Sequence, residues 1–138
     1  MDLGKIRFTN LLAFNNGKYP ALVEVSPIWE YLDGRPSDKR VGTAYTVLLS
    51  GHRYEEAIIK TDEVKEAITN DFIEEHGGMV LINAKQFVGR IFQYIPKGKA
   101  EDGAPSKPVT TFSLKAKTVF AVDETGNMVS IPNELIFT

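Results

Sequence analysis

The sequence predicts one mostly β domain, a five-stranded Greek-key barrel with a single helix and short arms at both ends. Three observations predict it. Apolar and polar residues alternate in five segments, as they do in half-buried strands. A stretch with three- and four-residue apolar spacing, residues 62–76, follows the third of these segments. The length of 138 residues suits a single domain with one core.

The composition excludes several classes of protein. Hydrophobic residues make up 43% and charged residues 25% of the chain, which is ordinary globular composition. The longest apolar runs fall far short of the roughly 20 residues that cross a bilayer. The first residues lack a cationic region followed by an apolar stretch, so we predict no signal peptide and a cytoplasmic location. The chain has no cysteine, and His52 and His76 lie in no metal-ligand spacing, so we expect neither metal nor cofactor.

The N-terminal arm, residues 1–18, ends in an Asn-Gly pair that is typical of a hairpin turn, so we expect an extended arm that turns into the first strand. Residues 19–32 alternate with a period of two and form that strand. Pro27 predicts a bend or an edge position, because proline cannot donate to a ladder. Trp29 and Tyr31 are predicted to enter the core.

A polar turn cluster, residues 33–40, leads to the second strand, residues 41–49, which is rich in β-branched and aromatic residues. Ser50-Gly51-His52 allows a tight reversal into the third strand, residues 53–61. Asp62 can cap the helix that follows, and Gly77-Gly78 can end it. The segment 53–76 carries eight acids against three Lys/Arg, which predicts a solvated acidic face.

The last two strands are residues 79–95, with a break expected near Asn83-Ala84, and residues 109–122. Alternation places Arg90, Phe92 and Tyr94 on one side of the first of them, and it places Lys115 and Lys117 together on the second. A loop rich in Pro, Gly and Lys, residues 96–108, joins the two strands. Residues 123–138 are predicted to form a turn and a short C-terminal arm.

Charge is distributed unevenly along the chain. Between positions 85 and 117 there are seven Lys/Arg and two acids, a balance of +5, whereas the whole chain has a net charge of −2. A local surplus of this size predicts a surface that faces a polyanion, because local potential rather than net charge decides where a polyanion docks.

The order strand, strand, strand, helix, strand, strand is that of the oligonucleotide/oligosaccharide-binding (OB) barrel. In that fold, ligands lie across strands two and three between the loops that join strands one to two and four to five. Here those loops would be residues 33–40 and 96–108, the two most cationic loops of the chain.

Two short stretches, WEYLDGRPSDKRVGTAYTV at residues 29–47 and VGRIF at residues 88–92, resemble small single-stranded DNA-binding proteins of the helix-destabilising kind, carried by phages and bacterial mobile elements. The resemblance implies a role in DNA replication or recombination. Such proteins often have an acidic disordered tail, whereas the last residues here are Ile136-Phe137-Thr138.

Single-stranded nucleic acid is bound by a cationic groove that follows the phosphates and by aromatic rings on which bases stack. The candidate stacking residues are Tyr45, Tyr54, Phe92 and Tyr94. The candidate phosphate contacts are Arg35, Lys39, Arg40, Arg53, Arg90, Lys97, Lys99, Lys107, Lys115 and Lys117. We expect single-stranded DNA or RNA as the partner, no membrane, and self-association through the arms into a homo-oligomer.

The sequence contains no catalytic motif, so we predict that the protein is not an enzyme. Gly98 and Gly103 have the spacing of a phosphate-binding loop, but Ala104-Pro105 stands where Lys-Ser/Thr is needed. Two alternatives stay open. A β-rich structural or protein-interaction module, such as a phage assembly or accessory protein, agrees with the acidic pI near 5.7. A barrel that binds a small ligand or sugar would have the same fold.

Overall fold

The computed structural model describes residues 7–94 and 109–129. The predicted phosphate contacts Lys97, Lys99 and Lys107 lie outside the described residues. The described residues form two short α-helices and seven strands, which are α1 (Leu11–Phe14), β1 (Ala21–Leu32), β2 (Arg35–Leu49), β3 (Glu55–Thr61), α2 (Asn70–Glu75), β4 (Val80–Lys85), β5 (Val88–Tyr94), β6 (Val109–Lys115) and β7 (Thr118–Ala121).

All seven strands belong to one curled sheet with the order β5-β6-β3-β2-β1-β4-β7. Neighbouring strands are antiparallel except β3 and β6, which are parallel. The predicted mostly β, barrel-like class is confirmed. The strand count and the topology differ from the predicted five-stranded Greek-key barrel.

The higher strand count arises from bends in two long strands. Residues 86–87 separate β4 from β5, and residues 116–117 separate β6 from β7. Gln86 has a φ of 51°, in the left-handed region, so the strand turns there and not at the predicted Asn83-Ala84. The Lys117 N–H donates to the Lys85 carbonyl at 2.9 Å and holds the two bends together. The pairs β5/β6 and β4/β7 at the two ends of the sheet are therefore halves of one bent hairpin.

The second helix, α2, is shorter than the predicted span 62–76. Thr69, and not Asp62, caps it by accepting a hydrogen bond from the Phe72 N–H at 3.1 Å. The preceding residues are drawn to β2 instead, because Glu66 forms an ion pair with Arg40 and the Ala67 N–H donates to the Tyr45 hydroxyl. These tertiary contacts compete with helix formation between residues 62 and 69.

The described part of the N-terminal arm packs on the sheet instead of extending from it. Leu11 and Phe14 are buried in α1, and Phe8 exchanges two backbone hydrogen bonds with Gly89 at the edge of β5. Asn15 is fully buried, and its side chain accepts from the Gly51 N–H at 2.8 Å. The described part of the arm is thus folded against the core through Phe8, Leu11, Phe14 and Asn15 and is not extended as predicted. Self-association through the arms stays a prediction.

The first two strands continue beyond the barrel as a two-stranded hairpin. Asp33 and Gly34 both have positive φ, at 53° and 79°, and form a tight turn, so the predicted loop 33–40 is largely strand. Trp29 is 40% and Tyr31 is 69% exposed. Their predicted burial is wrong, because no other element among the described residues covers the hairpin at this distance from the barrel.

The core lies inside the curled sheet. Its largest fully buried side chains come from both helices and from most of the strands, and they are Tyr45, Phe14, Phe72, Phe87, Leu11, Leu22, Leu49, Ile59, Ile68, Ile82, Val47 and Val119.

Candidate nucleic-acid interface

The outer face of the sheet is identified by the alternation of buried and exposed residues. In β3, Ala57, Ile59 and Thr61 are buried, so the residues that point outward are Glu56, Ile58 and Lys60. In β6, Leu114 is buried, so Thr111, Ser113 and Lys115 point outward. In β5, Gly89 is buried, so the residues that point outward are Val88, Arg90 and Phe92.

Strand registers bring the cations of this face together. Lys60 pairs with Lys115 across the parallel β3/β6 ladder. Lys115 pairs with Val88, and the next outward residue of β5, Arg90, pairs with Ser113. Phe92 is 39% exposed at the far end of the same row. We call these four residues, Lys60, Arg90, Phe92 and Lys115, the cationic face.

The surface between β5 and β6 is concave. A depression of about 240 Å³ lies between Val88, Arg90, Phe92, Ser113 and Lys115. Three further depressions, toward β3 and toward the bend at Lys117, also have Lys115 in their walls. Lys115 is therefore the side chain at which these surface grooves meet.

The electrostatics of the cationic face suit an anionic ligand. Like charges directly opposite each other in a sheet are destabilising, yet Lys60 and Lys115 occupy such positions. Glu56 is the one acid among the outward residues of β3, β5 and β6 that the structure describes. Within residues 7–94 and 109–129, no carboxylate lies at ion-pair distance from Lys60, Arg90 or Lys115.

Lys117 lies at the bend that follows β6. It is exposed, and it shares a depression of about 500 Å³ with Lys115, Gln86, Asp62 and Glu63. The structure thus brings Lys117 near Lys115, as predicted, but with two acids beside it. Lys117 marks the edge of the cationic face and not its centre.

Two predicted contacts have structural roles instead. Tyr45 is fully buried, so its ring is not available for stacking, and burial raises the pKa of its hydroxyl to about 12. Arg40 is held at 2.9 Å from Glu66 and donates to the Gly42 carbonyl and to the Thr43 hydroxyl. Both side chains hold the segment 62–69 against β2. The burial of Tyr45 contradicts its predicted stacking role, whereas Arg40 is partly exposed and its phosphate contact stays a prediction.

Four predicted contacts are exposed but lie off the cationic face. Arg35 and Lys39 are on the β1–β2 hairpin, beyond the point where β2 pairs with Thr61 at the end of β3. Arg53 and Tyr54 lie at the other end of β3. They are roughly 20 Å from Lys60, because a strand rises about 3.3 Å per residue. Both have left-handed φ, at 57° and 59°. Of Tyr94, the structure describes only the backbone, which pairs with Val109.

Sequence reasoning missed three exposed residues that belong near this surface. Lys60 was counted within the acidic stretch, although its alternation with Ile58 was readable. The parallel pairing that places Lys60 beside Lys115 has no signal in the sequence. Trp29 and Tyr31 were assigned to the core, although they share the hairpin with Arg35 and Lys39.

The described residues hold no group of His, Asp or Glu that could bind a metal ion. No helix among them has the length and apolar character needed to cross a membrane. Comparisons with protein-family models, with curated proteins and with solved structures found no match.

Proposed function

We propose that this chain binds single-stranded nucleic acid, with little preference for base sequence and without catalysing a reaction. The observation that carries the proposal is the convergence of Lys60, Arg90 and Lys115 around the half-exposed ring of Phe92 on one concave surface. DNA is the expected form of the ligand, following the resemblance of residues 29–47 and 88–92.

The chemistry of the face fits an unpaired strand better than a duplex. Lys60, Arg90 and Lys115 can each contact phosphates, and every base has a flat surface that can stack on Phe92, for about 1–3 kcal/mol per base. A duplex keeps its bases stacked on each other, so it can use the cations but not the ring. The same logic predicts tolerance of base sequence.

The strand pairing supports an OB-like interpretation of the fold. If β4 with β5, and β6 with β7, are each counted as one bent strand, the chain has five strands. The first then pairs with the fourth through Leu22 and Val80, and the third pairs in parallel with the fifth through Ile59 and Leu114. On that count, these pairings would correspond to a five-stranded barrel with α2 between its third and fourth strands, which supports the proposal.

The β1–β2 hairpin extends the proposed site. It stands at the end of β3 nearest Lys60, and it carries exposed Trp29 and Tyr31 together with Arg35 and Lys39. Exposed aromatic rings on a ribbon with cations are suited to stacking further bases. The strand of nucleic acid would then run from the hairpin across the cationic face.

The test is a fluorescence-anisotropy titration of labelled oligo-dT at several salt concentrations, with duplex DNA as the comparator. We expect tighter binding of oligo-dT, with log K falling against log salt by about 0.7 per phosphate contacted. In the variant K60Q/K115Q this slope should shrink by about 1.4, since two contacts are removed.

The matched control is K18Q, which removes an exposed lysine on the link between α1 and β1 and should leave the slope unchanged. Equal binding of duplex and oligo-dT would contradict the stacking part of the proposal. A lack of binding at low salt would overturn the proposal as a whole.

A further inference from the structure

A cleft opens in the sheet between β3 and β6. Residues 59–60 of β3 pair with residues 114–115 of β6. Earlier in both strands, a cleft of about 580 Å³ lies between residues 55–58 and residues 110–113. We call it the β3–β6 cleft. It ends where the two strands begin to pair, and we call this its closed end.

The β3–β6 cleft has polar walls and an apolar floor. The walls are the outward residues of both strands, Glu56, Ile58, Lys60, Thr111, Ser113 and Lys115. The floor consists of the inward residues Ala57, Phe112 and Leu114. The Phe112 ring packs against the rings of Phe14 and His52, with centroid distances of 5.8 and 5.3 Å. An apolar floor between a few polar groups suits a flat ring with polar edges.

Charge is divided along the cleft. Lys60 and Lys115 lie at the closed end, whereas Glu56 lies four residues before Lys60 on the same face, about 13 Å away along the strand. Among residues 7–94 and 109–129, no lysine or arginine lies at ion-pair distance from Glu56. A carboxylate beside bound phosphates repels them, unless it faces a hydrogen-bond donor of the ligand instead. The cleft therefore suits a ligand with a phosphate at one end and an N–H donor at the other.

We propose that the β3–β6 cleft holds one base of the bound single strand, and that Glu56 accepts a hydrogen bond from an amino group of this base. The phosphate of the same nucleotide would lie on Lys60 and Lys115 at the closed end. The base would lie over the apolar floor with its polar edge toward Glu56. This inference rests on the proposed function, and it adds a base preference at a single nucleotide to a surface that otherwise tolerates any sequence.

The cleft lies next to the stacking position on the cationic face. Thr111, in the wall of the cleft, pairs with Phe92 across the β5/β6 ladder, and Ser113 in the same wall pairs with Arg90. Consecutive nucleotides can therefore place one base in the cleft and the next on the Phe92 ring. Their phosphates would follow Lys115 and Arg90, so that only the base in the cleft approaches the carboxylate.

A carboxylate distinguishes bases by their hydrogen-bond donors. Cytosine, adenine and guanine carry an exocyclic amino group, and acceptance from the cytosine amino group by Glu or Asp is a known pairing of side chain and base. In thymine and uracil, carbonyl oxygens flank the ring N–H, and a carboxylate repels them. The cleft should therefore prefer a base with an amino group to thymine or uracil.

The test compares oligo-dC with oligo-dU, whose bases differ in carrying an amino group or a carbonyl oxygen at one ring position. Fluorescence-anisotropy titrations use the full chain at mildly alkaline pH, where cytosine is not protonated. We expect oligo-dC to bind about fivefold more tightly than oligo-dU, at the lower end of the discrimination that such contacts provide. In Glu56→Gln the ratio should fall to about one, because an amide can accept from cytosine and donate to uracil.

The matched control is Glu24→Gln. Glu24 is exposed on the outer face of β1, since it pairs with Thr46, and Thr46 pairs with the outward residue Ile58. It therefore shares the face of Glu56 but lies two strands away from the wall of the cleft. This variant removes the same charge and should leave the preference for oligo-dC unchanged. The salt slope should stay the same in both variants, because neither removes a phosphate contact.

The outcomes separate this inference from the proposed function. Equal, salt-dependent binding of oligo-dC and oligo-dU by the natural chain overturns the inference and leaves the proposed function in place. A preference for oligo-dC that persists in Glu56→Gln, or that Glu24→Gln removes as well, also overturns the assignment of Glu56. If neither oligonucleotide binds at low salt, the proposed function fails and the inference fails with it.

Discussion

Two regions of the sheet carry cations, and they use them in opposite ways. Within β2, Arg40 lies against Glu66 at 2.9 Å and makes two further hydrogen bonds to Gly42 and Thr43. On the cationic face, Lys60 and Lys115 lie opposite each other with no acid at ion-pair distance among the described residues. The first arrangement stabilises the fold, whereas the second costs stability and leaves charge for a ligand.

The difference shows that the number of cations in a stretch does not reveal their role. The predicted loop 33–40 and the stretch 85–117 were both selected for their lysines and arginines. The fold then places an acid beside Arg40 and a second cation beside Lys115. A cation without a partner, opposite a like charge, is the better candidate for a binding residue. The contrast would be established if a substitution on the cationic face lowers affinity for oligo-dT without loss of stability and a substitution of Arg40 lowers stability without loss of affinity.

The largest expected effect is that of Lys115→Glu on affinity. The change reverses the charge at the point where four depressions meet, so we expect oligo-dT binding to weaken by roughly 30-fold, or about 2 kcal/mol. The free energy of unfolding should rise slightly, by about 0.2–1 kcal/mol, because the introduced carboxylate would face Lys60. Anisotropy titration and urea unfolding measure the two quantities. A loss of stability together with affinity would mean that Lys115 supports the fold.

The substitution Arg40→Met should have the opposite profile. It removes the ion pair with Glu66 and two hydrogen bonds, but both partners are partly exposed, so we expect a loss of about 1–2 kcal/mol in the free energy of unfolding. Affinity for oligo-dT should change less than about twofold. Lys18→Met is the control, since its side chain is exposed on the link between α1 and β1, away from the hairpin and the cationic face, and it should change neither quantity measurably. A large loss of oligo-dT affinity in Arg40→Met would contradict the contrast between Arg40 as a residue that stabilises the fold and the cationic face as the ligand-binding surface.

The substitution Phe92→Leu tests the ring on the cationic face. Leucine keeps an apolar side chain at the position but loses the flat surface for stacking, so we expect affinity for oligo-dT to fall about fivefold, or about 1 kcal/mol. Binding of duplex DNA should not change. The salt dependence should also stay the same, because no cation is removed. A reduced salt slope in this variant would show that Phe92 acts by positioning Arg90 and not by stacking.

The sequence predicted the kind of fold because alternation and turn residues are local properties. The strand segments and the reversal near Gly51 correspond to features of the structure. Asn16 and Gly17 have the predicted positive φ, but they follow the helix α1 and do not form a hairpin turn. The strand count was wrong because two long strands each divide into two. Gln86, a residue with no special turn propensity, adopts a left-handed conformation that divides one of them, and residues 116–117 divide the other.

The candidate site was predicted only in part, because alternation divides a strand into two faces without saying which one is covered. Arg90, Phe92 and Lys115 were placed on one surface correctly, since β5 and β6 form a hairpin whose register is local. Trp29 and Tyr45 were assigned to the wrong sides. The exposure of Trp29 depends on how far β1 and β2 extend beyond the barrel, and the burial of Tyr45 depends on where residues 62–69 pack. Both depend on tertiary structure, which a local sequence pattern does not determine.

The smallest expected effect concerns Tyr45, the aromatic residue that fastens the segment 62–69 to β2. Burial raises the pKa of its hydroxyl to about 12, from about 10 in the unfolded chain. The folded state therefore favours the protonated hydroxyl. Its contribution to stability is fully present below about pH 10 and is lost as the pH rises from about 10 to about 12.

We expect this linkage to lower the free energy of unfolding by about 1 kcal/mol between about pH 9 and about pH 11. In Tyr45→Phe that part of the decline should disappear, although the variant starts lower by about 1 kcal/mol because the Ala67 N–H loses its acceptor. The two stability curves should therefore converge near about pH 11. Tyr54→Phe is the control, since Tyr54 is 68% exposed, and its curve should follow that of the natural chain. Parallel curves for Tyr45→Phe and the natural chain would mean that the Tyr45 hydroxyl ionises in the folded protein as easily as an exposed one.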